Sequence, residues 1–316
     1  MRDNHRKNIV LKEIRYMTKI LLDTDIGSDI DDCFALAYLL CQKDIDIMGI
    51  TTTGGKAHLR AQLANRVCAC YGRNVAVHPG KPYPMEGKSR QPRLTDTQTA
   101  VAEESLDKFS EGEATAVEFL RETIEANPGE ISLVCIGPLT NIGELFETYP
   151  HIPSLIKEMV IMGGRYTEDP HFKTEKWGET EWNIVCDTKA AYTVFKYNQK
   201  PCTVVGVDET CKFFIKPQSI KNAFLQNPCF KAVSDSVNTI AEYVWFHDII
   251  ALYGWLHPER VEIKIGDISV TYHDKENPSK TIFTPNPKGL YSLISGYDAK
   301  EFFEDYVETV GLNFNM

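Results

Sequence analysis

The sequence predicts an α/β protein: an open, mostly parallel, doubly wound sheet with a helical embellishment at its C-terminal end. Three observations carry this. Short runs rich in β-branched residues alternate with longer runs of helical period. Several of the short runs are apolar on both parities, as strands covered on both faces must be. Polar residues gather straight after these runs, where open parallel sheets place their ligands.

The elements follow in order. KILL (19–22) is the first strand and leads into an acidic loop. Residues 32–40 form a helix, with Phe34, Leu36, Ala37 and Leu40 at helical spacing. IDIMGITTT (45–53) is the second strand by its β-branched content. In the next helix, 58–71, Leu59, Leu63, Val67 and Cys70 share one face and Gly72 is the stop. NVAVH (74–78) is the third strand, and PGKPYPMEGKSRQPR (79–93) is loop by its prolines and glycines. A helix over 115–126 ends at Asn127-Pro128-Gly129. ISLVCI (131–136) is a strand, GPLTN a turn, and 142–149 a helix. EMVIM (158–162) is a strand ended by Gly163-Gly164; 188–197 is helical; CTVVGV (202–207) is a strand ending at Asp208. The remainder is less regular, with a helix near 246–256, a hairpin around 261–272 and a closing helix around 299–310. The alternation makes the fold Rossmann-like.

No repeat or low-complexity tract interrupts this pattern, so residues 17–316 read as a single domain. Residues 1–16 are basic and polar, lack the apolar stretch of a secretory signal, and read as a flexible N-terminal extension. A formal charge of -10 argues against nucleic acid as a partner. No apolar run approaches the ~18 residues of a membrane span. The nine cysteines are scattered without a CxxC pair, which argues against a disulfide framework and a zinc site and for reduced thiols in a cytoplasmic protein.

The chemistry gathers in LLDTDIGSDIDDCFAL (21–36), where five aspartates fall within ten residues. Two readings compete. The loop is solvated, with an aspartate capping the next helix. Alternatively, a hard divalent cation sits among the carboxylates. An EF-hand counted from Asp23 fails, because Ser28 and Phe34 stand where glycine and glutamate are needed. A DxD after the first strand also suits a metal-dependent phosphatase, which leaves Asp31 and Asp32 without a role. Further polar groups follow the other strands: Thr53-Gly54-Gly55-Lys56, Gly137 to Asn141, Gly163-Gly164 and Asp208.

Taken together and in this order, DTDIGSDIDDCFAL, CIGPLTNI, VIMGG, ETEWNIVCD and FHDIIAL resemble the inosine–uridine-preferring nucleoside hydrolase family, over about 19–258. The resemblance implies the nucleoside hydrolase fold and a Ca²⁺-dependent cleavage of the N-glycosidic bond of ribonucleosides to ribose and free base. It implies a homodimer or homotetramer. It also implies that Asp25, Asp32, Asp248 and the backbone carbonyl of Ile136 bind Ca²⁺. Asp31, Glu181 and Asn183 would hold the ribose, with Met162 beneath it; Asp25 would be the general base and His247 would act near the leaving base. The physics agrees. Cleavage builds positive charge on the sugar, which carboxylates stabilise. A cation lowers the pKa of its water so that an adjacent carboxylate can take the proton.

Four departures bear on specificity. Lys56 stands where the family has asparagine, close enough to the nucleoside to pair with a carboxylate or suit an anionic substrate. Glu175 replaces another ribose-binding asparagine, Trp182 replaces phenylalanine, and two extra residues near Ser28-Asp29 lengthen the acidic loop. They imply altered or narrow specificity, and leave open a non-catalytic nucleoside- or ribose-binding homologue. Single residues keep plainer readings: His247 as a core or capping histidine, Lys56 as a surface lysine, Tyr243, Trp245 and Phe246 as core, and Asn141 with Thr140 as a helix cap.

Overall fold

The structure, a computed structural model, describes residues 17–167, 180–225, 242–276 and 278–312. In chain order the first half holds β1 (Thr18–Thr24), α1 (Asp31–Cys41), β2 (Ile45–Thr52), α2 (Ala57–Cys70), β3 (Val77–Pro79), α3 (Asp96–Glu103), α4 (Ala116–Ala126), β4 (Ile131–Cys135), α5 (Thr140–Thr148) and α6 (Ile152–Leu155). Then come β5 (Glu158–Met162), α7 (Trp182–Cys186), α8 (Thr188–Tyr197), β6 (Cys202–Val205), α9 (Val207–Thr210), β7 (Phe214–Ile215), α10 (Pro217–Leu225), β8 (Val244–Trp245) and α11 (His247–Leu256). The chain closes with β9 (Val261–Val270), β10 (Thr281–Pro285), β11 (Tyr291–Tyr297) and α12 (Ala299–Val310).

Nine of the described strands form one sheet in the order β10-β9-β11-β6-β5-β4-β1-β2-β3. The run from β3 to β11 is parallel throughout, and β9 and β10 add antiparallel strands at one edge. β1 is flanked by β2 on one side and β4 on the other, so the winding reverses there. Helices cannot cover the crevice at such a reversal, and ligands bind at its carboxyl end.

Side chains of each central strand alternate between two cores. Ile20, Leu22, Val134, Val160 and Met162 face one core, packed by α1, α2, α11 and α12. Leu21, Leu133, Cys135, Met159 and Ile161 face the other, with residues of α4, α5 and α8. In the first core Phe34 stacks on Phe224 at 4.7 Å and meets Phe246 at 5.4 Å and Tyr306 at 6.5 Å. Each such ring pair adds roughly 0.5–1.5 kcal/mol beyond burial. The cluster fixes α1 against α11 and α12, and so sets where the first turns of α1 and α11 lie.

Several elements differ from the sequence reading. Residues 261–270 are one long strand, not a hairpin, and its partners are β10 and β11. Its outer residues are exposed, so the run IKIGDISV mixes polar and apolar letters and hides its length. The C-terminal part therefore extends the sheet as well as adding helices. The third strand is only Val77–Pro79, and the sixth stops at Val205 because Gly206 opens the short helix α9. α3 was not anticipated, although Thr95 and Gln98 spell its capping box, with both reciprocal hydrogen bonds formed. No helix among the described residues is long and apolar enough to cross a membrane. No disulfide joins the eight described cysteines. Residues 1–16, Cys229 and Glu175 lie outside the described residues.

Candidate functional site

β1 ends at Thr24, and the acidic loop carries the chain to α1, whose first turn holds Asp31 and Asp32. Asp248 sits in the first turn of α11. Backbone N–H groups at helix starts lack partners and favour carboxylates. The packing of α1 on α11 brings these two starts together. One carboxylate oxygen from each of Asp31, Asp32 and Asp248 lies within 4.8 Å of the others, and all three residues are buried. Thr24 Oγ1 donates to Asp32 Oδ1. No lysine or arginine among the described residues is hydrogen-bonded to the trio. Burial raises all three carboxyls well above the usual range, and the neighbouring aspartates raise them further. Three hard oxygen donors held in mutual repulsion fit a hard divalent cation.

Asp25 lies beside the trio at the lip of the loop. Its Oδ2 accepts from Gln91 Nε2 at 2.7 Å. Its other oxygen rests against Gly137, where a Cβ would come within 2.7 Å of both Asp25 Oδ1 and the Asp25 amide. Only glycine allows the end of β4 to approach this closely. Desolvation raises the Asp25 carboxyl, opposed chiefly by the charge of Arg60, and Asp25 in turn raises each member of the trio.

The ends of β4 and β5 are tied together beside it. Asn183 Nδ2 donates to the carbonyls of Ile136 at 3.1 Å and Met162 at 3.2 Å. Glu181 caps α7, accepting from the amides of Asn183 (2.8 Å), Gly164 (3.0 Å) and Ile184 (3.1 Å). Burial pushes its carboxyl up to about 7 even against those donors, and the Asp25 charge adds to the rise. Glu181, Asn183, Met162 and Ile136 thus form one buried knot.

His247 opens α11. Its Nδ1 is 2.7 Å from Thr210 Oγ1, and its ring lies nearly parallel to Trp245 with centroids 6.1 Å apart. Burial lowers its imidazole to about 4, against the opposing pull of Asp29. Phe246 is core, whereas Tyr243 and Trp245 are partly exposed and group with Phe214. Lys56 turns to Glu111, with which it is ion-paired, and lines a cavity of about 450 Å³ whose wall includes Gln91. Asn141 neither caps α5 nor stands free. It donates to Asp23 Oδ1 at 2.7 Å and to the Thr52 carbonyl at 3.1 Å, locking the ends of β1 and β2 to α5.

Three site residues escaped the sequence reading. Arg60, fully buried, reaches the acidic loop from α2; Gln91 bonds Asp25; Gln98 bonds the loop at Ser28 and Asp29. A signal existed for Arg60 alone: an arginine three, four and seven residues before Leu63, Ala64 and Val67, on the apolar face of its helix.

A doubly wound sheet with buried carboxylates at its point of reversal, and a knot of amide and carboxylate groups beside them, defines an α/β protein whose carboxylates are grouped as a metal ion would need them, at the end of the sheet where such folds place their ligands. The chain belongs to the family of inosine-uridine preferring nucleoside hydrolases, whose family model matches residues 20–304. It is similar to the pyrimidine-specific ribonucleoside hydrolase RihB of Escherichia coli O9:H4 (strain HS), 32% identical over 206 residues. That match covers 64% of this chain and 63% of the relative, so it spans less than two thirds of the relative's length. Among solved structures, a purine-preferring ribonucleoside hydrolase from Gardnerella vaginalis is similar in fold, with a TM-score of 0.74 at 22% identity over 92% of this chain and 98% of that one. A plant nucleoside hydrolase gives 0.71 at 20% identity, over 93% and 98%.

Proposed function

We propose that this protein hydrolyses the N-glycosidic bond of ribonucleosides, giving ribose and free base, in a reaction that depends on Ca²⁺. The observation that carries the reading is the convergence of Asp31, Asp32 and Asp248 within 4.8 Å in a buried site. Membership of the family supports it. Asp32, Asp248, Asp25 and the Ile136 carbonyl would hold the cation. When bound, the cation supplies Lewis acidity toward a water and an anchor for sugar hydroxyls.

The other steps belong to the chain's own groups. Asp25 takes the proton of the attacking water; its bond to Gln91 fixes one oxygen and leaves the other to act. Asp31, Glu181 and Asn183 hold the ribose over Met162, and the negative charge of the two carboxylates stabilises the cationic sugar as the bond breaks. In the tautomer where Thr210 donates to Nδ1, the neutral His247 ring carries its hydrogen on Nε2 and donates a hydrogen bond to the departing base. Lys56, which stands where the family has asparagine, is paired with Glu111, and that change supports an altered specificity.

The test is a panel of ribonucleosides assayed for free ribose, with and without chelator. Turnover should vanish on chelation, return with Ca²⁺, and fall about a thousandfold in Asp25→Ala. Turnover indifferent to both changes overturns the mechanism. Binding without turnover selects a nucleoside-binding protein, and cleavage of phosphate esters alone selects a phosphatase.

A further inference from the structure

The acidic loop is held in an unusual way. Gly27 has φ +101 and Ser28 has φ +80, the latter a left-handed conformation that an L-residue adopts at a cost. Something must over-determine the loop, and the contacts show what. The guanidinium of Arg60 lies under it, fully buried and without a bonded carboxylate. Its Nη1 donates to the carbonyls of Asp25, Ile26 (3.2 Å) and Gly27 (2.6 Å). Its Nη2 donates to Ser28 Oγ (3.1 Å) and the Pro92 carbonyl (3.0 Å), and its Nε to the Gly54 carbonyl (3.0 Å). One side chain thus gathers four consecutive loop residues and two neighbouring segments. Gln98 completes the hold, accepting from the Ser28 amide at 2.8 Å and donating to the Asp29 carbonyl at 3.2 Å. The two residues that lengthen the loop are therefore each tied down.

We infer that Arg60 is a positioning residue: it clamps the backbone of residues 25–28 so that the loop presents Asp25 and Asp32 to the cation, with Asp31 beside them for the ribose, before any cation arrives. This rests on the reading of the trio as a cation site. The geometry explains why arginine is needed. Five N–H donors in a rigid planar fork serve six acceptors, whereas a lysine ammonium is a single point with three. The positive charge also stands close enough to Asp25 and Asp32 to oppose their mutual repulsion. Groups that orient metal ligands typically cost 10- to 100-fold in metal affinity when removed.

The experiment is calcium calorimetry on the full chain, wild type against Arg60→Lys and Arg60→Ala, with circular dichroism as the check on folding. The clamp predicts at least a tenfold loss of calcium affinity in both folded variants. It also predicts partial recovery of Arg60→Ala by guanidinium ion at sub-denaturing concentration. Affinity within twofold of wild type in a folded variant overturns the clamp while leaving the proposed activity standing. A wild type that binds no divalent cation overturns both. Should neither variant fold, amide exchange in the cation-free wild type decides. The amides of Ile26 and Ser28, bonded to Thr24 and Gln98, must be protected before calcium is added. Exchange at free-chain rates until calcium binds shows that the ion orders the loop, and ends the proposal.

Discussion

Glu181 and Asp23 are buried carboxyls with the same unusual property: burial pushes each up to about 7. The sign of the effect on stability follows. The folded protein keeps these protons to a higher pH than the unfolded chain does, so stability is full below the ordinary carboxylate range and declines as pH rises toward 7. Chelator-treated protein should therefore melt at a lower temperature at about pH 8 than at about pH 5. Calcium should narrow that gap, because its ligands bind it only when deprotonated. Calorimetric scans at the two pH values, with and without calcium, check both statements. The aspartates of the site were legible because two of the trio are adjacent in sequence and the motifs fix their spacing. Arg60, Gln91 and Gln98 were not. Each meets the loop across a gap of some thirty to seventy residues, and no local pattern encodes such a meeting.

The helices α1 and α11 act as two arms that carry the carboxylates, and Phe34 is the joint between them. Phe34→Ala should cost about 3–5 kcal/mol of stability. It should also weaken calcium binding, because the arm that holds Asp31 and Asp32 is then free to shift from Asp248. Urea denaturation and calorimetry on one preparation separate the two effects. Gly137→Ala probes the opposite contact, between the end of β4 and the loop. The new methyl collides with backbone and carboxylate of Asp25, neither of which can swing aside cheaply. A fall in kcat of about a hundredfold, together with a loss of roughly 1–3 kcal/mol of stability from the overpacked contact, is the expected result. The central parallel strands were readable from their double-sided apolar runs. β9 was misread because one face is wet, and β10 and β11 were not read as strands at all.

Across the molecule, the reversal of winding beside β1 decides where everything polar goes. A cation held there, as proposed, would be a strut between distant parts. At a free concentration a hundred times its dissociation constant, a ligand that binds only the folded state adds about 2.7 kcal/mol. Calcium should raise the melting temperature and chelator should lower it. Asp32→Ala should abolish the difference in a thermal-shift assay.

That convergence also orders events in time. β1 and α1 leave the ribosome early and α11 leaves late, yet the trio needs both. A nascent chain stalled before α11 emerges has the loop and its clamp but no third carboxylate. Capture of the ion therefore waits for α11 to dock on α1, and luminescence from a lanthanide bound at the trio would report when that step of assembly occurs.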